Sequence, residues 1–229
     1  MVKNHYKNVA IPRTWHIPRK ETEFVTRPYP GAHSLLYGIP LNIVLKEMVK
    51  CAQTTKEVKY ILEHKDVFVD GVKRKECKLP VGLMDTLSLM NSNEHYRIVL
   101  NQRGHLIPVS IKKEESLLKP SKIINKTVVK KGKIQLNMSD GRSILLPKNS
   151  YTVGDTLLLK LPEQKIEQHL PLEPGMLVYM IGGKHIGAMG TVEKIEGNAL
   201  SVRTGSNTYK TLRSQSFVIG KEKPIVSIQ

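Results

Sequence analysis

The chain has 229 residues, 40% of them hydrophobic, and a formal net charge of +16 from 36 Lys and Arg against 20 Asp and Glu. Apolar content on that scale supports two or three small cores more readily than one large one. An excess of +16 raises the energy of the compact state by self-repulsion unless a polyanion neutralises it. Nucleic acid is the expected partner, with an anionic membrane surface or a merely basic bystander as the alternatives.

The excess is +4 over residues 1–40, +2 over 41–92, +7 over 93–170 and +3 over 171–229. Charge along the whole length fits a protein embedded in phosphate on several sides better than one with a single basic tail. Cys51 and Cys77 match no paired zinc spacing and read as buried small hydrophobes in a reducing cytosol. No run of about 18 apolar residues occurs and residues 1–20 lack the apolar stretch of a signal peptide. A soluble, cytoplasmic protein with no membrane partner is expected.

Residues 1–40 carry Pro12, Pro18, Pro28, Pro30 and Pro40 among Lys3, Lys7, Arg13, Arg19, Lys20 and Arg27. Proline at that density forbids a continuous helix, so the segment reads as an extended basic arm. Trp15 within it either stacks on an unpaired base or anchors the arm to its own domain.

From Leu41 the apolar positions Leu41, Val44, Leu45, Met48 and Val49 recur at helical spacing, with Lys46 and Lys50 four apart on another face. Thr54-Thr55-Lys56-Glu57 predicts a capping box in which Thr54 accepts from the Glu57 amide and the Glu57 side chain bonds back to Thr54. A second helix burying Val58, Ile61 and Leu62 should follow. The strand Val67-Phe68-Val69 then meets Asp70-Gly71, a pair suited to a type I′ turn. Lys73, Arg74 and Lys75 leave that turn, and residues 81–89 close a unit spanning 41–92.

Beyond residue 93 the pattern is β. Residues 96–100 and 106–111 flank Gly104, residues 134–138 and 143–146 flank Asp140-Gly141, and 156–161 forms a further strand. Lys126, Lys130, Lys131 and Lys133 around Gly132 suit either a hairpin tip that reaches RNA or a merely solvated loop. A last unit, 171–229, begins near Pro174-Gly175. There Gly182, Gly183, Gly187 and Gly190 can supply positive φ and close backbone approach, as in a small barrel whose loop lies against something else, or can serve tight turns alone.

Known families meet these residues at three places. The segment 40–89, with Thr54-Thr55-Lys56-Glu57-Val58-Lys59, Val69-Asp70-Gly71 and Pro80-Val81-Gly82-Leu83-Met84-Asp85, resembles the S-four-type RNA-binding domain. The segment 178–192, with Gly183-Lys184-His185-Ile186-Gly187-Ala188-Met189-Gly190-Thr191-Val192, resembles the KOW motif of ribosomal proteins and transcription elongation factors. It departs from that motif at Ile186, where a lysine is usual.

The order of these modules, the arm His5-Tyr6-Lys7-Asn8-Val9-Ala10-Ile11-Pro12-Arg13-Thr14-Trp15, and the later Glu94-His95-Tyr96-Arg97, Gln135-Leu136-Asn137 and Ser216-Phe217-Val218-Ile219-Gly220-Lys221 resemble one family over nearly the whole chain. It is the small-subunit ribosomal protein four family of archaea and eukaryotes, in an archaeal-looking form. Asn4, Asn8 and Thr14 stand where that family usually has cations.

The expected fold is α+β and mostly β. A small α/β S-four-type RNA-binding domain (41–92) precedes a central β domain (93–170) and a KOW-type SH3-like β-barrel (171–229), behind the arm (1–40). The candidate RNA-binding residues are Lys3, Lys7, Arg13, Trp15, Arg19, Lys46, Lys50, Lys56, Lys59, Lys73, Arg74, Lys130, Lys131, Lys133, Lys184 and His185. Against RNA contact, the residues around the two helices read as a solvated face balanced by Glu47 and Glu57.

The resemblance implies a structural constituent of the small ribosomal subunit that binds folded ribosomal RNA, monomeric within the ribosome and touching neighbouring ribosomal proteins. Aromatic content of 5% argues against a single-strand binder built on stacking platforms and for recognition of folded RNA by shape, 2′-hydroxyls and backbone charge. No phosphate-cradling loop, His-Glu-x-x-His or Gly-x-Ser-x-Gly occurs, and the eight histidines lack ligand spacing. No catalysis, metal, cofactor or small-molecule substrate is expected. The rival readings are a KOW-containing transcription or translation factor and an accessory to an RNA-modifying enzyme.

Overall fold

The computed structural model describes residues 5–147, 150–205 and 207–228; Lys3 and Asn4 lie outside them. The chain forms two compact units, Met1–Leu100 with His105–Leu117, and Asn101–Gly104 with Leu118–Gln229. The architecture is mostly β, in several sheets that include a half-barrel.

The first unit contains β1 (Tyr6–Lys7), β2 (Phe24–Val25), β3 (Gly38–Pro40), a helical segment, β4 (Val67–Val69), β5 (Val72–Lys73), β6 (Pro80–Gly82), β7 (Thr86–Leu89), β8 (Glu94–Leu100) and β9 (Leu106–Ser110). Its main sheet is antiparallel in the order β5-β4-β7-β8-β9. The strands 94–110 therefore continue the sheet of residues 67–89 instead of opening a new domain at residue 93. Ile39, Leu41, Val44, Leu45, Val58, Leu62, Leu87 and Ile98 are fully buried.

The predicted first helix is only partly regular. α1 (Leu41–Ile43) runs into a π-helical turn, Val44–Met48, in which Val49 N–H donates to the Val44 carbonyl at 2.9 Å and Cys51 N–H to that of Leu45 at 3.0 Å. Lys50 then takes a φ of 60°. The two lysines read as sharing a helix face are thereby separated, because Lys50 has left the helix. Cys51 is exposed rather than buried, whereas Cys77 is buried as expected.

α2 (Thr55–His64) has the expected cap: the Thr54 hydroxyl accepts from the Glu57 amide at 3.2 Å. The Glu57 carboxylate returns to the Thr54 hydroxyl at 2.9 Å and to the amide of Gln53 at 2.8 Å. Those bonds, the Gln53 amide foremost, hold its pKa below the usual carboxylate range. The Asp70-Gly71 turn has φ of 54° and 72°, as a type I′ hairpin requires.

The arm is not an unpartnered extension. Trp15 is 2% exposed, its Nε1–H donating to the Gly38 carbonyl at 2.9 Å, and Leu106 N–H donates to the Thr14 carbonyl at 2.7 Å. Trp15 thus anchors the arm and has no free ring face for a base, which removes it from the RNA-binding set. Asn8 and Thr14 are buried too, Asn8 donating to the carbonyls of Pro18 and Thr22 at 2.8 and 3.0 Å. A cation at either of those positions would have to be desolvated. His33, whose Nε2 lies 2.9 Å from both Asp85 oxygens, ties the end of the arm down; a Cβ at Gly82 would stand 2.3 Å from its ring.

The second unit holds β10 (Leu118–Val128), β11 (Ile134–Met138), β12 (Ser143–Leu146), β13 (Thr156–Lys160), β14 (Lys165–Leu170), β15 (Leu177–Met180), β16 (Met189–Glu196), β17 (Ala199–Thr204), β18 (Asn207–Leu212) and β19 (Ser216–Gly220). They make two antiparallel five-stranded sheets, β12-β11-β10-β13-β14 and β18-β17-β16-β15-β19. One core gathers Ile123, Leu136, Met138, Leu157 and Leu159. The other gathers Val178, Val192, Leu200, Val202 and Val218 with Leu170, Leu172 and Met176.

Three cations are buried in these units. Lys122 donates to the carbonyls of Arg213 and Ser214 at 2.7 and 3.0 Å and to that of Ser216, linking β10 to the turn before β19. Burial, then the nearby Arg213, lowers its pKa to about 8. Lys119 sits 3.2 Å from the buried Asp140 carboxylate, which Arg142 also approaches at 3.2 Å. In the first unit Arg97 is fully buried and donates to the Glu115 carbonyl at 3.0 Å. Burial lowers its pKa to about 10, leaving a guanidinium at neutral pH.

Two outcomes follow from this packing. Trp15→Ala should lower stability by about 3–5 kcal/mol in urea titration, through the packing removed and the cavity left behind; a change below about 1 kcal/mol would contradict the anchoring role. For Lys122, the unfolded chain keeps the proton up to about 10.5 and the folded chain up to about 8, so between those values the unfolded state binds more protons and this group's contribution to stability rises with pH. The stability of the protein minus that of Lys122→Met should therefore grow over that window, and a flat difference would show that burying the ammonium is not penalised.

Candidate nucleic-acid interface

The predicted RNA-binding residues divide by what their charges already touch. Lys46 pairs with Glu47 at 3.0 Å and Lys73 with Asp66 at 2.5 Å. Arg74 is half-buried, with its Nε shielded from solvent and without a hydrogen-bond partner. These three are poorly placed to meet phosphate, because an existing partner or a buried guanidinium must first be rearranged.

Lys7, Arg13, Lys50, Lys56 and Lys59 are exposed, and among the described residues no ion pair involves them. Arg19 is exposed with one guanidinium N–H 3.5 Å from the Ile11 carbonyl. Lys56 and Lys59 stand together on the outer side of α2, because Val58 and Leu62 turn the opposite side into the core. This helix is the part of the first unit where predicted cations are both adjacent and free.

In the second unit β10 and β11 form a hairpin whose tip carries Lys130, Gly132 and Lys133, both lysines exposed and Gly132 at φ 68°. The side chain of Lys131 lies outside the described residues. Lys126 is drawn back toward the sheet, its ammonium on the Tyr151 carbonyl.

Lys184 is exposed on the glycine-rich turn between β15 and β16, and His185 stacks on Tyr209 with ring centroids 3.7 Å apart. Gly187, at φ 77°, lies so close to the Asn101 carbonyl that a Cβ would come within 2.3 Å of it. Its neighbour Ile186 packs against Gly104, so the residue that departs from the KOW pattern fills an apolar contact. Other charges of this unit are committed: Lys194 to Glu196 at 2.9 Å, which raises its pKa, and Arg203 to Glu193 at 2.6 Å.

Lys65, Lys112, Lys113, Lys165 and Lys210 are equally exposed and belong to no motif that would single them out in sequence, and Lys75, next to Lys73 and Arg74, is exposed as well. Among the described residues no three His, Cys, Asp or Glu side chains converge as metal ligands. A cavity of about 210 Å³ beside Tyr29, Pro30 and Pro80 is smaller than the 300–1,000 Å³ usual for cofactor sites. The arrangement offers dispersed, preformed positive points on rigid elements, suited to a polyanion of fixed shape.

The comparisons with known proteins bear on which polyanion. The profile of the ribosomal family S4e matches residues 92–166, and that of the RS4NT domain residues 2–36. The chain is 40% identical over 241 aligned residues to the small ribosomal subunit protein eS4 of Methanocaldococcus jannaschii, covering 99% of this chain and 98% of that one. It is 42% identical over 234 residues to eS4 of Methanocella arvoryzae, with the same coverage. Its structure is similar to the crystal structure of the 30S ribosomal protein S4e from Thermoplasma acidophilum, with a TM-score of 0.73 at 29% identity, covering 84% of this chain and 99% of that one. With relatives 40–42% identical over 99% of its length, the chain belongs to the ribosomal S4e family.

Proposed function

We propose that this protein is a structural constituent of the small ribosomal subunit in the cytoplasm, binding folded ribosomal RNA and neighbouring ribosomal proteins and carrying out no reaction. The observation that carries this reading is the near-complete coverage of eS4 relatives at about 40% identity. The net charge of +16 and its spread over every segment support it.

Within that role, residues 41–92, whose sheet runs on through residues 94–110, act as an S-four-type RNA-binding domain, residues 171–229 as a KOW-type unit, residues 118–170 as the β region before it and residues 1–40 as the arm. The capped α2 and the Asp70-Gly71 hairpin support the first assignment. The second rests on the closely packed glycine turn at Gly187. Phosphate contact falls to the cations without carboxylate partners, chiefly Lys56 and Lys59 on α2 and Lys130 and Lys133 on the hairpin tip, with Lys7, Arg13, Lys50 and Lys184 as further points.

Binding to small-subunit ribosomal RNA, measured over a salt series, tests the assignment. Lys56→Ala/Lys59→Ala and Lys130→Ala/Lys133→Ala should each flatten the slope of log K against log salt by roughly 0.7–0.9 for every phosphate the variant no longer neutralises. Lys73→Ala should leave the slope nearly unchanged, since Asp66 already holds that ammonium. Unchanged slopes in both double variants would overturn the assignment.

A further inference from the structure

Tyr60 lies at the middle of α2 and is 59% exposed. Its ring is stacked on that of His64, one turn later, with centroids 4.3 Å apart and planes 21° from parallel. The His64 Nδ1, 3.1 Å from the Tyr60 carbonyl, fixes the imidazole in place. A helix repeat of 3.6 residues sets Lys56, Tyr60 and His64 in a row on the side opposite the buried Val58 and Leu62, successive members about 6 Å apart along the axis. Lys59 flanks the row and is free of ion pairs; Glu63 stands on the same side and brings one negative charge to it.

This pair contributes little to the fold. An exposed contact between residues four apart on a helix is worth about 0.2–0.5 kcal/mol, and Tyr60 keeps most of its surface in solvent. The other large exposed rings are differently engaged: Tyr29 carries the Lys78 ammonium 5.1 Å from its centroid, and Phe24 meets His5 edge-on. The His185–Tyr209 stack is half-buried. On α2, by contrast, two parallel rings are held at stacking distance, each with one face left uncovered by the other, beside ammonium groups that no carboxylate claims.

From this juxtaposition we propose that Tyr60 and His64 form a stacking platform for an unpaired base of the ribosomal RNA, with Lys56 and Lys59 holding the phosphates beside it. The assignment rests on the ribosomal reading above and adds to it a contact that is not electrostatic. A base has a π-face whatever its identity, so the platform accepts any nucleotide that leaves its helix, and its ring planes are already aligned before RNA arrives. Backbone charge brings the RNA to α2, and the rings hold one base out of the stack.

The test uses the full chain and small-subunit ribosomal RNA, with Tyr60→Ala, Tyr60→Phe and Tyr60→Trp titrated over a salt series and their thermal unfolding followed in parallel. Tyr60→Ala should weaken binding about 5- to 150-fold, the range for removal of one stacked base, with the salt slope and the unfolding temperature unchanged. Tyr60→Phe should bind as the unaltered protein does, and Tyr60→Trp should bind as tightly or more so, with its added fluorescence quenched on RNA binding. Tyr60→Ala binding as tightly as the unaltered protein would overturn the platform. So would a Phe variant as weak as Ala, or an Ala defect seen only when neighbouring ribosomal proteins are present, which would mark a protein contact instead. Failure of the unaltered protein to bind this RNA would overturn the ribosomal reading itself, so the two failures are distinguishable.

Discussion

Thirty-six cations must be accommodated on 229 residues that build only small cores, and the placement of each one follows from the energy of its charge. A buried ammonium or guanidinium is tolerated only when its donors are met. Lys122 meets that condition with three backbone carbonyls and Lys119 with the Asp140 carboxylate. These groups act as polar crosslinks in thin β units. Lys122 in particular holds a strand of one sheet to the turn leading into a strand of the other.

A second group of cations is neutralised at the surface by close carboxylates, as Lys46, Lys73, Lys194 and Arg203 show. Exposed pairs of this kind add little stability, typically below about 1 kcal/mol. Their importance lies in withholding those charges from an external anion. A third group is exposed and without carboxylate partners, and it includes lysines on a capped helix, a hairpin tip and a glycine-rich turn. The segment with the largest formal excess, 93–170, keeps Arg97, Lys119 and Lys122 inside but buries Asp140 and Asp155 with them, so its surface retains nearly all of that excess.

Much of this was legible in the sequence where local chemistry decides the outcome. The capping box at Thr54, the Asp70-Gly71 turn, the hairpins around Gly104 and Gly141, and the close approach at Gly187 all follow from residues a few positions apart. β10 was not legible up to Ile123, because Lys119, Ser121 and Lys122 are buried polar residues and Pro120 interrupts the pattern; only pairing with β13 makes that stretch a strand. The π turn after α1 and the burial of Trp15 are likewise tertiary effects. For the site, residue type identified the candidates, but only the structure separates Lys56, free on α2, from Lys73, already paired. Tyr60 and His64 escaped notice because an isolated Tyr at helical spacing carries no sign of the exposed stack it forms.

The proposed role of these unpaired charges, and of the elements that carry them, is to meet the folded RNA of the small subunit as part of a permanent component. Quantitative sedimentation of salt-washed ribosomes from the source cells tests that most directly. Stoichiometric recovery of the chain with small subunits, persisting through the wash, is the predicted result. Recovery only as free protein at the top of the gradient, or in substoichiometric amounts stripped by moderate salt, would contradict it.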